Sequence, residues 1–336
     1  MQHHTPSPTI DEFTYELPKE LIAQEAVHPY DSCKLMHLAN DGTITHHVFR
    51  DIVQHFRSGD VLVVNQTKVR HAKIIGQKIT GGRVEVILTK SLGNMRYEAR
   101  IKASKMRKGL ALTFKSCSAT VIDQQRDVFT VAFDREPPAT ELHLVTPPYI
   151  KKSIPEHDYQ TMFAKQEGSL AAPTASLHFT PPLMEQIRAA GVEIVFITLH
   201  IGFGTFLPVR DVATHATGSE AMEITASAAD RINAGKRVIA VGTTVVKALE
   251  TASKNGNVQP FKGASTLFIK PGHQWQARID AMITNFHLPH SSLLMLVAGY
   301  AGTKRILDAY HVAVQEHYRF YSLGDAMFIE RPNENS

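Results

Sequence analysis

Between Val61 and Asp134 apolar and polar residues recur at short range in seven stretches: VLVVN (61–65), AKIIGQKI (72–79), RVEVILTK (83–90), RYEARIKA (96–103), LALTF (110–114), ATVIDQ (119–124) and VFTVAFD (128–134). Short polar turns separate them, Gly81-Gly82, Gly93-Asn94 and Lys108-Gly109 among them, and no helical interval intervenes. Seven short strands in such a run predict a small antiparallel β-barrel that begins near Leu62 and closes before Pro147-Pro148.

Beyond the prolines the period changes. Apolar positions at helical spacing mark helices at 181–191, 226–235, 245–253, 291–300 and 303–318, and continuous apolar runs mark buried strands at 192–199, 237–242, 265–269 and 280–286. Alternating helices and strands predict an α/β layer domain. The segment from Phe13 to Leu62 is mixed, with helical ELPKELIA and FRDIVQHF and a strand at CKLMHLA, and it is too short to hold a core of its own. It is therefore expected to pack on the α/β domain. The fold class predicted is an α/β domain (1–62 and 149–336) with an inserted basic β-barrel (63–148).

Charge sharpens this division. From Val63 to Lys115 there are thirteen Lys or Arg against Glu85 and Glu98, a local charge of +11 in a chain whose total is +4. A basic block in an otherwise acidic chain is the footprint of a nucleic-acid contact, or else a solvated strand face whose lysines block edge pairing. Lys102, Lys105 and Arg107 are the candidate RNA contacts. No apolar run approaches the length of a membrane span, and the lead MQHHTPSPTIDEF lacks the basic and apolar regions of a signal peptide, so a disordered lead and a cytoplasmic location are expected. Two cysteines, Cys33 and Cys117, are too few for a disulfide framework and read as filler. No metal is expected, because none of the 18 histidines pairs with another at helical spacing beside a carboxylate. The oligomeric state is left open, a monomer included.

Four loops that follow apolar stretches carry the candidate chemistry. In LHIGFGTF, Gly202 and Gly204 let backbone approach a ligand beside His200 and Thr205, although the third glycine of a dinucleotide fingerprint is missing. In VGTTVVK, Thr243 and Thr244 open a helix, either as caps or as ligand contacts. In ITNFHLPHSS, Asn285 and His287 follow a strand, with Ser291 or Ser292 as cap. In YSLGDAM, Asp325 is a turn former or a buried carboxylate with a function. A fifth stretch, APTASLHF, places Thr174 near His178, which either serves chemistry or caps the following helix. No nucleophile elbow of the Gly-x-Ser-x-Gly kind is present.

Taken in order, these stretches together with FTYELPKELIA, GDVLVVNQTKV, GGRVEVIL, PPYIKK, YQTMFAKQEGSLAAPTASLHF, FIKPGH and DAMITNFHLPHSSLLMLVAGYAG closely resemble the S-adenosylmethionine:tRNA ribosyltransferase-isomerases of queuosine biosynthesis, from about Phe13 to Ile329. The resemblance implies a transferase with a β-barrel and an α/β domain. Such an enzyme uses S-adenosylmethionine as ribosyl donor to a 7-aminomethyl-7-deazaguanine at the tRNA wobble position, forms epoxyqueuosine, and releases adenine and methionine. It implies tRNA and S-adenosylmethionine as partners and no cofactor beyond that co-substrate. His178, Asp325 and Glu220 would then serve proton transfer or sulfonium stabilisation, His178 because an ordinary imidazole titrates near working pH. Thr174, His200, Gly202, Gly204, Thr205, Thr243, Thr244, Asn285 and His287 would hold the nucleoside or the methionine part. The chain departs from the family pattern at Tyr30, Lys34, Gln66, Lys68, Ser176, Gly218 and Lys247; three of these put Lys for Arg, keeping charge but losing the bidentate fork. A relative acting on another RNA or deazaguanine, and a non-enzymatic RNA-binding relative, are the rival readings.

Overall fold

The computed structural model describes residues 9–333 apart from 153, 207, 208, 210, 213 and 216; the lead at 1–8 lies outside them. The chain forms two compact units, one running up to Lys68 and again from Pro148 onward, the other spanning Val69–Pro147. The first begins with β1 (Lys34–Leu38), β2 (Ile44–Val48) and β3 (Asp60–Asn65). The second holds β4 (His71–Lys78), β5 (Arg83–Gly93), β6 (Arg96–Lys102), β7 (Ala111–Thr113), β8 (Ser118–Gln125) and β9 (Val128–Phe133). Back in the first unit follow α1 (Pro181–Ala189), β10 (Glu193–Leu199), β11 (Glu220–Ile224), α2 (Ala226–Ala234), β12 (Arg237–Val241) and α3 (Thr243–Ala252). The chain ends through β13 (Phe261–Ser265), β14 (Ala281–Asn285), α4 (Ser292–Ala301), α5 (Thr303–Gln315) and β15 (Ala326–Glu330). This is the α/β domain with an inserted antiparallel barrel that the pattern predicts.

The main sheet has nine strands in the order β13-β11-β10-β3-β12-β14-β15-β1-β2. Its centre, β10, β3, β12 and β14, is parallel, and β11 and β15 run antiparallel to their neighbours β10 and β14. One apolar layer takes Val61 and Val63 with α2, α3, α4 and α5, and the opposite layer takes Leu62 and Val64 with α1 and the 3-10 turn Phe49–His55. A strand buried on both faces must be apolar at every position.

That requirement explains one displaced expectation. VLVVN at 61–65 was expected to open the barrel, but it is the centre of the main sheet, because a run without polar alternation has no face to give to solvent. Six strands remain for the barrel, in the order β4-β5-β6-β9-β8-β7, closed by pairing of Gln77 and Lys78 with Thr113 and Leu112. Closure brings the strands together at Gly76, where a Cβ would lie 2.4 Å from the Thr113 carbonyl oxygen. Two further expectations shift. The strand awaited at 265–269 ends at Ser265, and ELPKELIA and FRDIVQHF form only 3-10 turns, at Lys19–Leu21 and Phe49–His55. β2 and β11 were not anticipated: ITHHV and EAMEI are short and lack a continuous apolar run, and they gain strand character from their partners.

Candidate active site

Strand direction assembles the site. The C-terminal ends of β10, β12 and β14 lie on one edge of the sheet, and because β11 and β15 are antiparallel to their neighbours, they start at that same edge. Open α/β sheets bind ligands at the carboxyl ends of their parallel strands. The loops carrying Gly202–Thr205, Glu220, Gly242–Thr244, Asn285–His287 and Asp325 are therefore neighbours, although they span more than a hundred residues of sequence.

Two cavities open there and share Thr205, Thr243, Thr244 and Leu293, so they form one slot. The first, about 570 Å³, is lined by Thr174, Asn285 and His287 on the polar side and by Tyr149, Tyr159 and Tyr321 on the aromatic side. Tyr149 and Tyr321 meet edge to face with centroids 3.9 Å apart. The second, about 440 Å³, is lined by Gly204, Thr217, Glu220 and Lys247. Glu220 and Lys247 are both buried and form an ion pair at 2.9 Å, while the other Glu220 oxygen accepts from the Gly202 amide at 2.9 Å.

Between the cavities α3 begins. Gly242 takes φ of 92°, the turn from β12 into the helix, and no side chain caps it. The Thr244 Oγ1 is buried with no hydrogen-bond partner among the described residues. Uncapped helical amides carry partial positive charge, and with a free hydroxyl beside them they suit a carboxylate or a ribose oxygen. The capping alternative weighed for Thr243 and Thr244 does not apply, since neither side chain caps the helix.

His178 is placed differently. It is buried against the wall of a neighbouring cavity of about 230 Å³, which Tyr30 also lines and which meets the first at Ser322. The Asn285 amide, whose Nδ2 also faces the Asp325 carbonyl, donates to His178 Nε2 at 3.1 Å, and Thr174 donates to Asn285 Oδ1 at 3.1 Å. With Nε2 accepting, the ring hydrogen sits on Nδ1 and points at Cys33 Sγ, 3.2 Å away. Burial, with a smaller contribution from Arg319, pulls the His178 pKa down to about 3, so the near-neutral titration expected of it is absent. Cys33, read as filler, is its partner; burial first and then Asp325 push that thiol up.

Asp325 anchors the edge. Its carboxylate accepts from the Lys34 amide at 3.1 Å and the Arg319 amide at 2.7 Å, with the Arg319 guanidinium at 3.6 Å. Burial raises its pKa against these lowering contacts. It lines neither cavity of the slot. His200 also stays out, held by Thr67 Oγ1 at 2.7 Å and packed on the Gly168 backbone. His287 lines the slot, bonds Thr284 at 2.9 Å and is pulled to about 3 by burial. The three tyrosines were not singled out as site residues from the sequence; only their motifs, PPYIKK, YQTMFAKQEGSLAAPTASLHF and YSLGDAM, signalled them.

In the barrel Lys102, Lys105 and Arg107 are all exposed, the first at the end of β6 and the others in the loop beyond it. Among the described residues no helix is long and apolar enough to cross a membrane.

Residues 10–329 match the family model described as queuosine biosynthesis protein. The chain is 44% identical to the S-adenosylmethionine:tRNA ribosyltransferase-isomerase of Anaeromyxobacter sp. (strain Fw109-5), over 96% of this chain and 99% of that protein. It is 45% identical to the protein of the same name from Desulforamulus reducens, over 95% and 99%. It resembles the crystal structure of the S-adenosylmethionine tRNA ribosyltransferase of Thermotoga maritima with a TM-score of 0.56 and 32% identity, covering 95% of this chain and 99% of that one.

Proposed function

Because this chain belongs to the queuosine biosynthesis protein family, we propose that it transfers the ribosyl group of S-adenosylmethionine to a 7-aminomethyl-7-deazaguanine in tRNA, releasing adenine and methionine. The observation that carries this to the site is the slot with two unlike ends. S-adenosylmethionine is itself bipolar, with an aromatic base at one end and a zwitterionic amino acid beside a sulfonium at the other. The tyrosine wall suits adenine. The uncapped start of α3 and Lys247 suit the carboxylate, and the Glu220 carboxylate suits the positive groups.

The reaction needs a base for the acidified carbon next to sulfur and stabilisation of the charge that moves. Of the three acidic or basic groups expected to serve it, Glu220 is the one that lines the slot. His178 and Asp325 act on the substrate through others in this reading. His178 sets Asn285, which lines the slot beside Thr174, and Asp325 ties the loop of Tyr321 and Ser322 to β1. His178, neutral at working pH with Nε2 already engaged, is a positioning residue.

The test is direct. Incubated with S-adenosylmethionine and tRNA bearing the aminomethyl base, the protein is expected to release adenine and methionine in equal amounts and no S-adenosylhomocysteine. Glu220→Gln is expected to slow adenine release by roughly a hundredfold, the usual contribution of a positioned acid or base. Release that requires a different RNA would favour the diverged relative, and tRNA binding with no adenine from any RNA would overturn the enzymatic reading.

A further inference from the structure

His37, His47 and His55 meet at the opposite edge of the main sheet. His37 lies on β1 across from Thr45 of β2, and His47 lies two residues along β2 on the same face. His55 closes the 3-10 turn Phe49–His55 that follows β2. One ring nitrogen from each lies within 4.8 Å of the other two. Ring centroids are 4.2 Å apart for His37 and His55 and 5.1 Å for His47 and His55, with Phe328 behind the first pair.

Packing alone does not account for the nitrogens. His37 Nε2 and His55 Nε2 are buried with no hydrogen-bond partner among the described residues, and buried polar atoms are nearly always paired. The nearest carboxylate is Glu330, 3.5 Å from His37 Nε2. Arg237 donates to the His55 carbonyl, but its charge is matched by Asp60 at 2.6 Å.

We propose that His37, His47 and His55 bind a single divalent transition-metal ion of the zinc class, with Glu330 beside them. Three imidazoles and a carboxylate are borderline ligands of the kind that zinc and cobalt accept. Zinc-to-nitrogen bonds of about 2.0–2.1 Å set tetrahedral neighbours roughly 3.4 Å apart, so binding draws the rings inward by about 1 Å. The ion would staple the β1–β2 hairpin and the 3-10 turn to the sheet. No linear motif signals it, since the ligands come from three elements.

The test uses the full chain after removal of metal by a chelator, titrated with Co²⁺ alone. Wild type is expected to bind one equivalent with the visible bands of a tetrahedral cobalt site and to melt at higher temperature. His47→Gln and His55→Gln are each expected to lose those bands and about a hundredfold or more of the affinity, while releasing adenine at the wild-type rate as evidence of folding. His47 lies on the edge strand β2, which makes its variant the safer one. If wild type gives no bands, or if both variants bind cobalt as wild type does, the three histidines are a stacked apolar cluster and the proposal is overturned.

Discussion

The unpartnered hydroxyl of Thr244 gives the sharpest residue-scale expectation. Removing it by Thr244→Val leaves no donor stranded, so folding stability should hold or rise slightly. Affinity for S-adenosylmethionine should fall by roughly tenfold, the net worth of one hydrogen bond. Isothermal titration and a melting curve on the same sample check both halves, and a loss of stability with unchanged affinity would place the hydroxyl in the fold and outside the slot. The buried imidazoles set a pH dependence. His178 and His287 are held near 3, well below the roughly 6.5 of an unfolded chain. The unfolded state therefore takes up more protons as pH falls below that value. The stabilisation is complete above about 6.5 and is lost on acidification toward 3. From pH 7 to pH 5 each imidazole should cost roughly 2 kcal/mol. Unfolding free energies from urea titrations at the two pH values should differ less in His287→Gln than in wild type by about that amount.

At the scale of the element, the barrel depends on how β4 meets β7. A Cβ at Gly76 would sit 2.4 Å from the Thr113 carbonyl and 2.5 Å from the Phe114 ring. Gly76→Ala should therefore destabilise the barrel by about 1–3 kcal/mol, the range for overpacking. Limited proteolysis should cut within 69–147 at lower temperature than in wild type, and an unchanged digestion pattern would show that β7 can move aside. The element scale is also where reading the sequence was most and least reliable. Strands β4 to β9 and helices α1 to α5 carry strong periodicity or caps, such as Thr180 and Ser291 accepting from the amides three residues on, and their local pattern survives in the fold. β2 and β11 do not, because their strand character comes from hydrogen bonds to partner strands, β1 across a hairpin for β2 and the more distant β10 and β13 for β11.

For the whole molecule, the uneven charge has a consequence that can be measured. With Lys102, Lys105 and Arg107 exposed on the barrel, reversing all three to Glu should weaken tRNA binding severalfold or more at low salt. It should also flatten the dependence of log affinity on log salt by about 0.7–0.9 per lost phosphate contact. Filter binding across a salt series reads both, and a slope equal to that of wild type would move the RNA surface away from this loop.

Local chemistry along the chain determined that a basic barrel interrupts an α/β domain, because side-chain period and turn residues act over a few neighbours and are written in order. It also determined the loops that gather at the edge where the slot opens, since Gly242, Thr243 and Asn285 stand where their strands end. The tertiary structure alone decided which of those residues face the slot. Asp325 and His200 lie in the right loops yet are spent on amides and on Thr67, while Tyr149 and Tyr321, far apart in sequence, form its aromatic wall. Burial decided that His178 stays neutral, and pairing across the β1–β2 hairpin, with the turn after it, brought His37, His47 and His55 together. At the slot, direction, depth and partnership are properties of long-range pairing: no short window of sequence contains both Asp325 and Lys34, both His200 and Thr67, or both Tyr149 and Tyr321.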